Sequence, residues 1–151
     1  MKYSFDTSAF IEAWNRHYPR AVFPTVWEHL EKAIQQNKIK AADEVYEELE
    51  DHGDELFKWA KANRKMFVAL DGALQKRARS LLRQFPHLAK QDRTRPDADP
   101  FVIALALANN APVVSYEISK PTRSHIPDVC DHLGIVHRRL VEVFELEGWK
   151  F

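Results

Sequence analysis

The opening of the chain combines a short apolar segment, an acid and a helix start without any spacer between them. Residues 2–5 have the apolar and aromatic content of a short buried strand, and Asp6 follows directly. Thr7 or Ser8 can then cap a helix that runs through Phe10. A strand that passes through an acid straight into a helix is typical of an α/β unit. This feature favours a central parallel sheet with helices on both faces.

The rest of the chain continues this alternation of helices and short apolar segments. Helical spacing of apolar residues predicts further helices that begin near Pro24, Asp43, Asp54, Asp71 and Pro100. Residues 112–116 and 135–137 are the second and third predicted strands, separated by a short helix at residues 127–132. No repeat or linker divides the 151 residues, so we expect one domain over residues 1–151 with a three-layer α/β fold.

Composition limits the class of protein. Lys plus Arg and Asp plus Glu both number 22, and this balance argues against a simple nucleic-acid coat. It still allows an enzyme that gathers acids in one pocket. Cys130 is the only cysteine, so no intrachain disulfide can form and a reducing cytoplasm is expected. The start shows no signal peptide, and residues 101–108 are far shorter than the roughly 20 apolar residues of a membrane helix.

Four acids stand out by their position. Asp6 follows the first predicted strand, Glu117 follows the second, and Asp99 begins the apolar helix; Glu48 lies within the third helix, next to Leu49. The carboxyl ends of parallel strands meet in a crevice where ligands bind, so we expect Asp6 and Glu117 to point into it, within reach of Asp99. Clustered carboxylates need a cation, and hard oxygen ligands select Mg²⁺ or Mn²⁺. Such a site is suited to phosphodiester hydrolysis.

Each acid also has an ordinary structural interpretation. An Asp after a strand, such as Asp6, is more often a helix N-cap than a ligand. Asp99 followed by Pro100 is equally a capped helix with proline in its first turn. Glu48 belongs to an acid-rich helix whose charges would usually face solvent. The order of all four acids together is what favours a functional site.

That order resembles the PIN domain, the fold of VapC-type toxin ribonucleases and related nucleases. The family's four motifs correspond here to Phe5-Asp6-Thr7-Ser8, Val45-Tyr46-Glu47-Glu48-Leu49, Asp99-Pro100-Phe101-Val102-Ile103-Ala104 and Val113-Val114-Ser115-Tyr116-Glu117. The C-terminal part resembles an uncharacterised PIN-like branch through Ile126-Pro127-Asp128-Val129-Cys130 and the closing Gly148-Trp149-Lys150-Phe151. The resemblance covers nearly the whole chain and implies a three-layer PIN-like fold.

The resemblance also implies roles for individual residues. Asp6, Glu48 and Asp99 would be the metal ligands, and Glu117 would be the fourth catalytic acid, at a position where the family usually has Asp. Supporting polar roles would fall to Thr7, Ser8 and Ser115. Two assignments stay open, because Glu44 or Glu47 could replace Glu48 and Asp97 could replace Asp99.

A nuclease needs cations near its acids to bind substrate phosphates. The candidates flank the presumed crevice and are Arg93, Arg95, Lys120 and Arg123. The resemblance further implies an RNA substrate, an antitoxin partner and a homodimer. A catalytically silent PIN-like module for protein or RNA binding is the alternative, and the same acids would also serve a DNA-directed nuclease.

Other notable side chains are expected to be structural. The seven histidines show no ligand spacing and are interpreted as surface or partly buried groups. Cys130 is expected to be a small core residue. The tryptophans lie on apolar faces and are expected to face the core or a partner, and the basic face of residues 76–83 is expected to be solvated.

Overall fold

A computed structural model describes residues 1–52, 54–89, 97–118 and 125–151. Within these ranges, five short strands form one sheet in the order β3-β2-β1-β4-β5, and each strand pairing is parallel. The strands are β1 (Tyr3–Phe5), β2 (Ile39–Ala42), β3 (Phe67–Val68), β4 (Val113–Val114) and β5 (His137–Arg138). The predicted α/β fold with a central parallel sheet flanked by helices is confirmed.

The helices in the described ranges connect these strands. They are α1 (Thr7–Glu12), α2 (Pro24–Gln35), α3 (Asp43–His52), α4 (Glu55–Ala62), α5 (Gly72–Gln84), α6 (Asp99–Asn109), α7 (Ile126–Leu133) and α8 (Leu140–Glu147). A π-helical turn (Ala13–His17) follows α1, and 3-10 turns occupy Arg64–Met66 and Pro86–Leu88. None of the helices in these ranges combines the length and apolar character needed to cross a bilayer.

Helix starts agree well with the sequence analysis. The Asp54 side chain accepts a hydrogen bond from the amide of Phe57, and the Asp71 side chain accepts one from the amide of Leu74. Both are N-caps of the kind that satisfies the unpaired amides of a first helical turn. The prediction that helices begin near these two residues is therefore confirmed.

Two of the strands, β2 and β3, and the final helix α8 were not predicted. Strand β2 has the sequence Ile39-Lys40-Ala41-Ala42, and alanine and lysine are poor strand formers by themselves. Strand β3 has only two residues and follows directly on a 3-10 turn. The strand predicted at residues 135–137 begins at His137 instead. Tertiary pairing decides the two strands, because neither carries an apolar period long enough to be recognised. Helix α8 has Leu140, Val143 and Phe144 at helical spacing, a signal that was overlooked.

Strand β1 occupies the centre of the sheet and all of its residues are buried. Trp27 contacts both Trp14 and Trp59 edge to face, with ring centroids 4.8 and 4.9 Å apart, and its own side chain is fully buried. Cys130 is likewise fully buried. The core roles expected for Trp27, Trp59 and Cys130 are confirmed.

The register of the central strands determines which residues meet at the carboxyl edge of the sheet. Phe5 of β1 lies opposite Val114 of β4, so the residues that follow them, Asp6 and Ser115, leave the sheet side by side. The buried hydroxyl of Ser4 donates to the carbonyl of Val102, 2.9 Å away. This bond attaches α6 to β1 and helps to hold the first turn of α6 against the same edge.

The opposite, amino edge of the sheet is closed by one acid from the end of α8. The Glu147 carboxylate, whose side chain is 4% exposed, accepts hydrogen bonds from Lys2, Lys38 and the Tyr3 hydroxyl. Burial alone would raise the pKa of Glu147, but the hydrogen bonds from Lys38, Lys2 and Tyr3 outweigh it and lower that pKa to about 2. Glu147 thus fastens the last helix to both β1 and the start of β2.

Glu147→Gln should destabilise the fold by about 1–3 kcal/mol, because charge-assisted bonds to both lysines are lost. The effect should be present near neutral pH and should fade as pH falls from the ordinary value of 4.5 towards 2, where the wild-type carboxyl also becomes neutral. Urea unfolding at several pH values measures it. Glu145→Gln is the matched control, since Glu145 is exposed on the same helix. Equal stability of the two variants would contradict this assignment.

Candidate metal centre

Asp6 is both the N-cap of α1 and the most enclosed acid of the carboxyl edge. Its backbone is extended (φ −83°, ψ 159°), and its Oδ2 accepts a hydrogen bond from the amide of Ser8. The prediction that Thr7 or Ser8 caps this helix is therefore wrong, because the carboxylate one position earlier already reaches the exposed amide. Among the described residues, no hydrogen bond reaches the other oxygen, Oδ1, so capping leaves half of the carboxylate available.

Two serine hydroxyls complete the surroundings of Asp6 Oδ2. Ser8 Oγ lies 2.6 Å and Ser115 Oγ 3.1 Å from it, and both hydroxyls donate to it. Each hydroxyl also accepts an amide proton: Tyr116 donates to Ser8 Oγ, and Glu117 donates to Ser115 Oγ. A hydroxyl has only one proton, so both protons are committed to Asp6 even though the two oxygens lie 3.0 Å apart. The serines thereby join the β1–α1 turn to the chain that leaves β4.

Three carboxylates converge at this edge. Oxygen atoms of Asp6, Asp99 and Glu117 all lie within 4.8 Å of one another. Asp6 is 2% exposed and Asp99 is 4% exposed, while the Glu117 side chain is 15% exposed. Asp6 comes from the end of β1, Asp99 from the first turn of α6 and Glu117 from the segment after β4. The structure therefore brings together three of the four acids that the sequence analysis singled out.

The electrostatics of the group are unfavourable without a cation. Burial, and after it the negative charge of Glu117, raise the pKa of Asp6 to about 6, although the bonds from Ser8 and Ser115 oppose both effects. Among the described residues, no cationic side chain bonds to Asp6. A hard divalent cation among these oxygens would remove the repulsion, and an all-carboxylate donor set suits Mg²⁺ or Mn²⁺.

Glu48 lies beside the three acids but is not one of the converging group. Its Oε1 accepts hydrogen bonds from the Thr7 hydroxyl at 3.3 Å and from the amide of Ala98 at 3.0 Å. Thr7 directly follows Asp6, and Ala98 directly precedes Asp99. Glu48 thus holds the backbone next to two of the acids, and its role as a metal ligand stays a prediction.

The alternatives to Glu48 and Asp99 differ in their surroundings. Glu47 is exposed, whereas Glu44 is partly buried and burial raises the pKa of its carboxyl. Asp97 is buried, with 7% exposure, but it does not belong to the converging group. Asp99 is therefore the better placed of the two aspartates. The predicted substrate-binding residues Arg93, Arg95, Lys120 and Arg123 lie outside the described residues.

One neighbour of the acids was missed by the sequence analysis. His125, at the start of α7, places its Nδ1 4.0 Å from Glu117 Oε2, and the amide of Ile126 donates to the same oxygen at 3.2 Å. Pro127 could have indicated this contact. Proline is common in the first turn of a helix, and the N-terminus of a helix attracts anions such as the Glu117 carboxylate. The seven histidines have no metal-ligand spacing, so the sequence pattern did not indicate this contact of His125.

Comparison with solved structures identifies the class of fold. The chain is similar to a chain in the crystal structure of VapBC2 from Rickettsia felis bound to a DNA fragment from their promoter, with a TM-score of 0.51. The similarity covers 92% of this chain and 98% of that chain at 18% sequence identity. The fold is therefore PIN-like.

Sequence comparison then places the chain in a family. It belongs to the family described as "Domain of unknown function (DUF4411)", whose model matches residues 3–151. The curated proteins include no match to the sequence.

Asp6→Asn should stabilise the cation-free protein near neutral pH. In the folded state Asp6 holds its proton up to about 6 instead of the ordinary 3.8, so ionisation above that range costs stability. Asparagine keeps the N-cap and removes this cost, which is on the order of 2 kcal/mol.

Thermal melting in a chelator across this pH range measures the effect. Wild-type stability should fall as pH rises from 3.8 to about 6 and level off above that pH, and the variant should lose that dependence. Asp131→Asn, at an exposed acid of α7, serves as the control and should follow the wild type. An Asp6→Asn protein that melts lower than wild type at neutral pH, with the pH dependence unchanged, would contradict the assignment.

Proposed function

We propose that the protein is a Mg²⁺- or Mn²⁺-dependent ribonuclease of PIN type that hydrolyses RNA phosphodiester bonds. The observation that carries this proposal is the convergence of Asp6, Asp99 and Glu117 within 4.8 Å at the carboxyl edge of a parallel sheet. This edge is where α/β folds bind their ligands. The PIN-like fold supports the same reading.

The chain's own residues divide the work in this proposal. Asp6 and Asp99 hold the cation, with Glu117 as the third converging acid, while Ser8 and Ser115 hold Asp6 by its Oδ2. Glu48 keeps Thr7 and the backbone before Asp99 in place, whether or not it also contacts the cation. A bound divalent ion supplies Lewis-acid polarisation of the phosphate and a water of lowered pKa.

We further propose that the protein is the toxin component of a toxin–antitoxin pair. The fold shared with VapBC2 supports this, and it leads us to expect an antitoxin partner, a homodimer and action in the cytoplasm. Induced expression in a bacterial host should then arrest growth, while Asp6→Asn should be tolerated. A small neighbouring reading frame should encode a protein that restores growth when co-expressed.

Asp6→Asn and Asp99→Asn should each reduce RNA cleavage in Mn²⁺ by more than about 100-fold, since each removes a ligand charge. Glu48→Gln should reduce cleavage by roughly 10- to 100-fold, because support of the ligands matters almost as much as the ligands. Glu50→Gln, at an exposed acid of the same helix, should leave cleavage unchanged. Gel analysis against a mock purification measures this. Full activity in Asp6→Asn would show that the cleavage comes from elsewhere.

A catalytically silent PIN-like module for protein or RNA binding is the second candidate. Two observations favour it: Glu117 stands where PIN nucleases usually have Asp, and Glu48 Oε1 is already bonded to Thr7 and Ala98. Metal binding separates the two candidates.

Titration calorimetry with Mn²⁺ should show binding to the wild type that is lost in Asp99→Asn, because the substitution removes one of the converging charges. A parallel thermal melt should show that Mn²⁺ raises the melting temperature of the wild type but not that of Asp99→Asn. Glu50→Gln is again the control, because it removes one acid that lies outside the site. It should bind Mn²⁺ like the wild type. The silent module is favoured if millimolar Mn²⁺ leaves both the heat signal and the melting temperature of the wild type unchanged.

A further inference from the structure

A stacked pair of aromatic rings belongs to two segments that adjoin the acids, the π-helical turn after α1 and the chain that leaves β4. The His17 imidazole and the Tyr116 ring are nearly parallel, at 15°, with centroids 4.6 Å apart. Tyr116 is the residue between Ser115 and Glu117, and His17 ends the π-helical turn that follows α1. Segments of π-helix are rare and frequently occur at functional sites. Neither ring was singled out by the sequence analysis.

Tyr116 is held firmly in this position. Its amide donates to Ser8 Oγ, which in turn donates to Asp6, so one short chain of bonds joins the tyrosine to the acids. Its carbonyl accepts a hydrogen bond from Arg139 Nη1 at 3.1 Å, and the Arg139 guanidinium carbon lies 5.4 Å from the ring centroid. Burial raises the pKa of the phenol to about 12, so the ring stays neutral.

His17 has a different character from the aromatic residue beside it. Tyr18 is packed against Phe23 and Phe144, with ring centroids 5.8 and 5.3 Å apart, and so attaches this segment to the body of the protein. His17 remains exposed, although one face of its ring rests on Tyr116. An ordered ring with an open face is the arrangement that proteins use to stack nucleobases.

Arg139 adds a positive charge to the same place. Among the described residues, it forms no ion pair with an acid; the neighbouring Arg138 is the one paired with Glu142. A guanidinium beside an aromatic ring combines stacking with attraction for phosphate. Arg139 directly follows β5 and so lies at the same carboxyl edge as the acids. Because the acids repel phosphates, a substrate needs a cation at this edge of the sheet.

We propose that His17, Tyr116 and Arg139 form a nucleotide subsite for single-stranded RNA, in which His17 stacks on a base and Arg139 attracts a phosphate. Tyr116 supports the imidazole and connects the subsite to the acids. The proposal rests on the ribonuclease function and adds to it the residues that hold an unstacked base, because a base inside a duplex has no open face to offer.

Binding without cleavage tests the subsite. In the Asp6→Asn background, His17→Ala should bind a short labelled oligoribonucleotide about tenfold more weakly, which is typical of losing one stacked base. An abasic oligonucleotide of equal length should bind both proteins alike. His17→Phe should restore base-dependent binding, and Arg139→Gln should weaken both oligonucleotides and reduce the salt dependence. Fluorescence anisotropy measures the binding of both oligonucleotides to the parent protein and to each variant.

His29→Ala is the matched control, since that histidine also contacts aromatic rings, those of Trp149 and Phe151, and not the residues at the acids. It should bind like the parent protein. Equal binding of His17→Ala and its parent, or no binding by the parent, would overturn the subsite.

The binding test separates the subsite from the ribonuclease proposal. Base-dependent binding through His17 in a protein whose wild type never cleaves RNA would overturn the ribonuclease and keep the subsite. RNA cleavage by the wild type, combined with RNA binding that does not depend on His17, would keep the ribonuclease and overturn the subsite.

Discussion

The Asp6 carboxylate is the interaction on which the candidate site depends. It is buried at the end of the central strand, and its Oδ2 accepts the amide of Ser8 and the hydroxyls of Ser8 and Ser115. N-cap and metal ligand are competing interpretations of this residue when the sequence alone is considered. The structure makes them compatible, because capping uses Oδ2 and leaves Oδ1 without a bond from the described residues. The local structure thus fixes the orientation of the Asp6 side chain through Oδ2 and leaves Oδ1 available to a cation.

The buried acids at the two edges of the sheet have pKa values shifted in opposite directions. At the amino edge, bonds from Lys38, Lys2 and Tyr3 overcome the burial of Glu147 and lower its pKa to about 2. At the carboxyl edge, the donors to Asp6 in the described part of the chain are hydroxyls and an amide, Glu117 lies nearby, and the pKa of Asp6 rises to about 6. The first arrangement is electrostatically complete and stabilises the fold by itself. The second leaves negative charge uncompensated, and this excess of negative charge would favour the binding of a divalent cation.

Local signals explain which parts of the structure follow from the sequence. Helix starts at Asp54 and Asp71 were predictable because a cap acts within one turn, and Asp6 and Glu117 were predicted to meet because parallel strands end at one edge. Strands β2 and β3 were not predictable, because their pairing partners lie far away in sequence, β3 has only two residues, and β2 consists mainly of alanine and lysine. The Glu48 contacts were equally hidden. They depend on bonds to Thr7 and to the backbone of Ala98, 41 and 50 residues away.

For the PIN-type nuclease proposed above, Glu117 is the departure from the expected Asp that most affects the chemistry. A longer side chain could have moved its charge out of the site, but the Glu117 carboxylate still lies within 4.8 Å of Asp6 and Asp99. The extra length instead lets Oε2 accept the amide of Ile126, so the same carboxylate reaches the first turn of α7. Because Ser115 accepts the amide of Glu117, the backbone is held from one side and the carboxylate from the other. The substitution therefore preserves the acidic cluster and adds a connection between the end of β4 and α7, which a shorter aspartate would reach less readily.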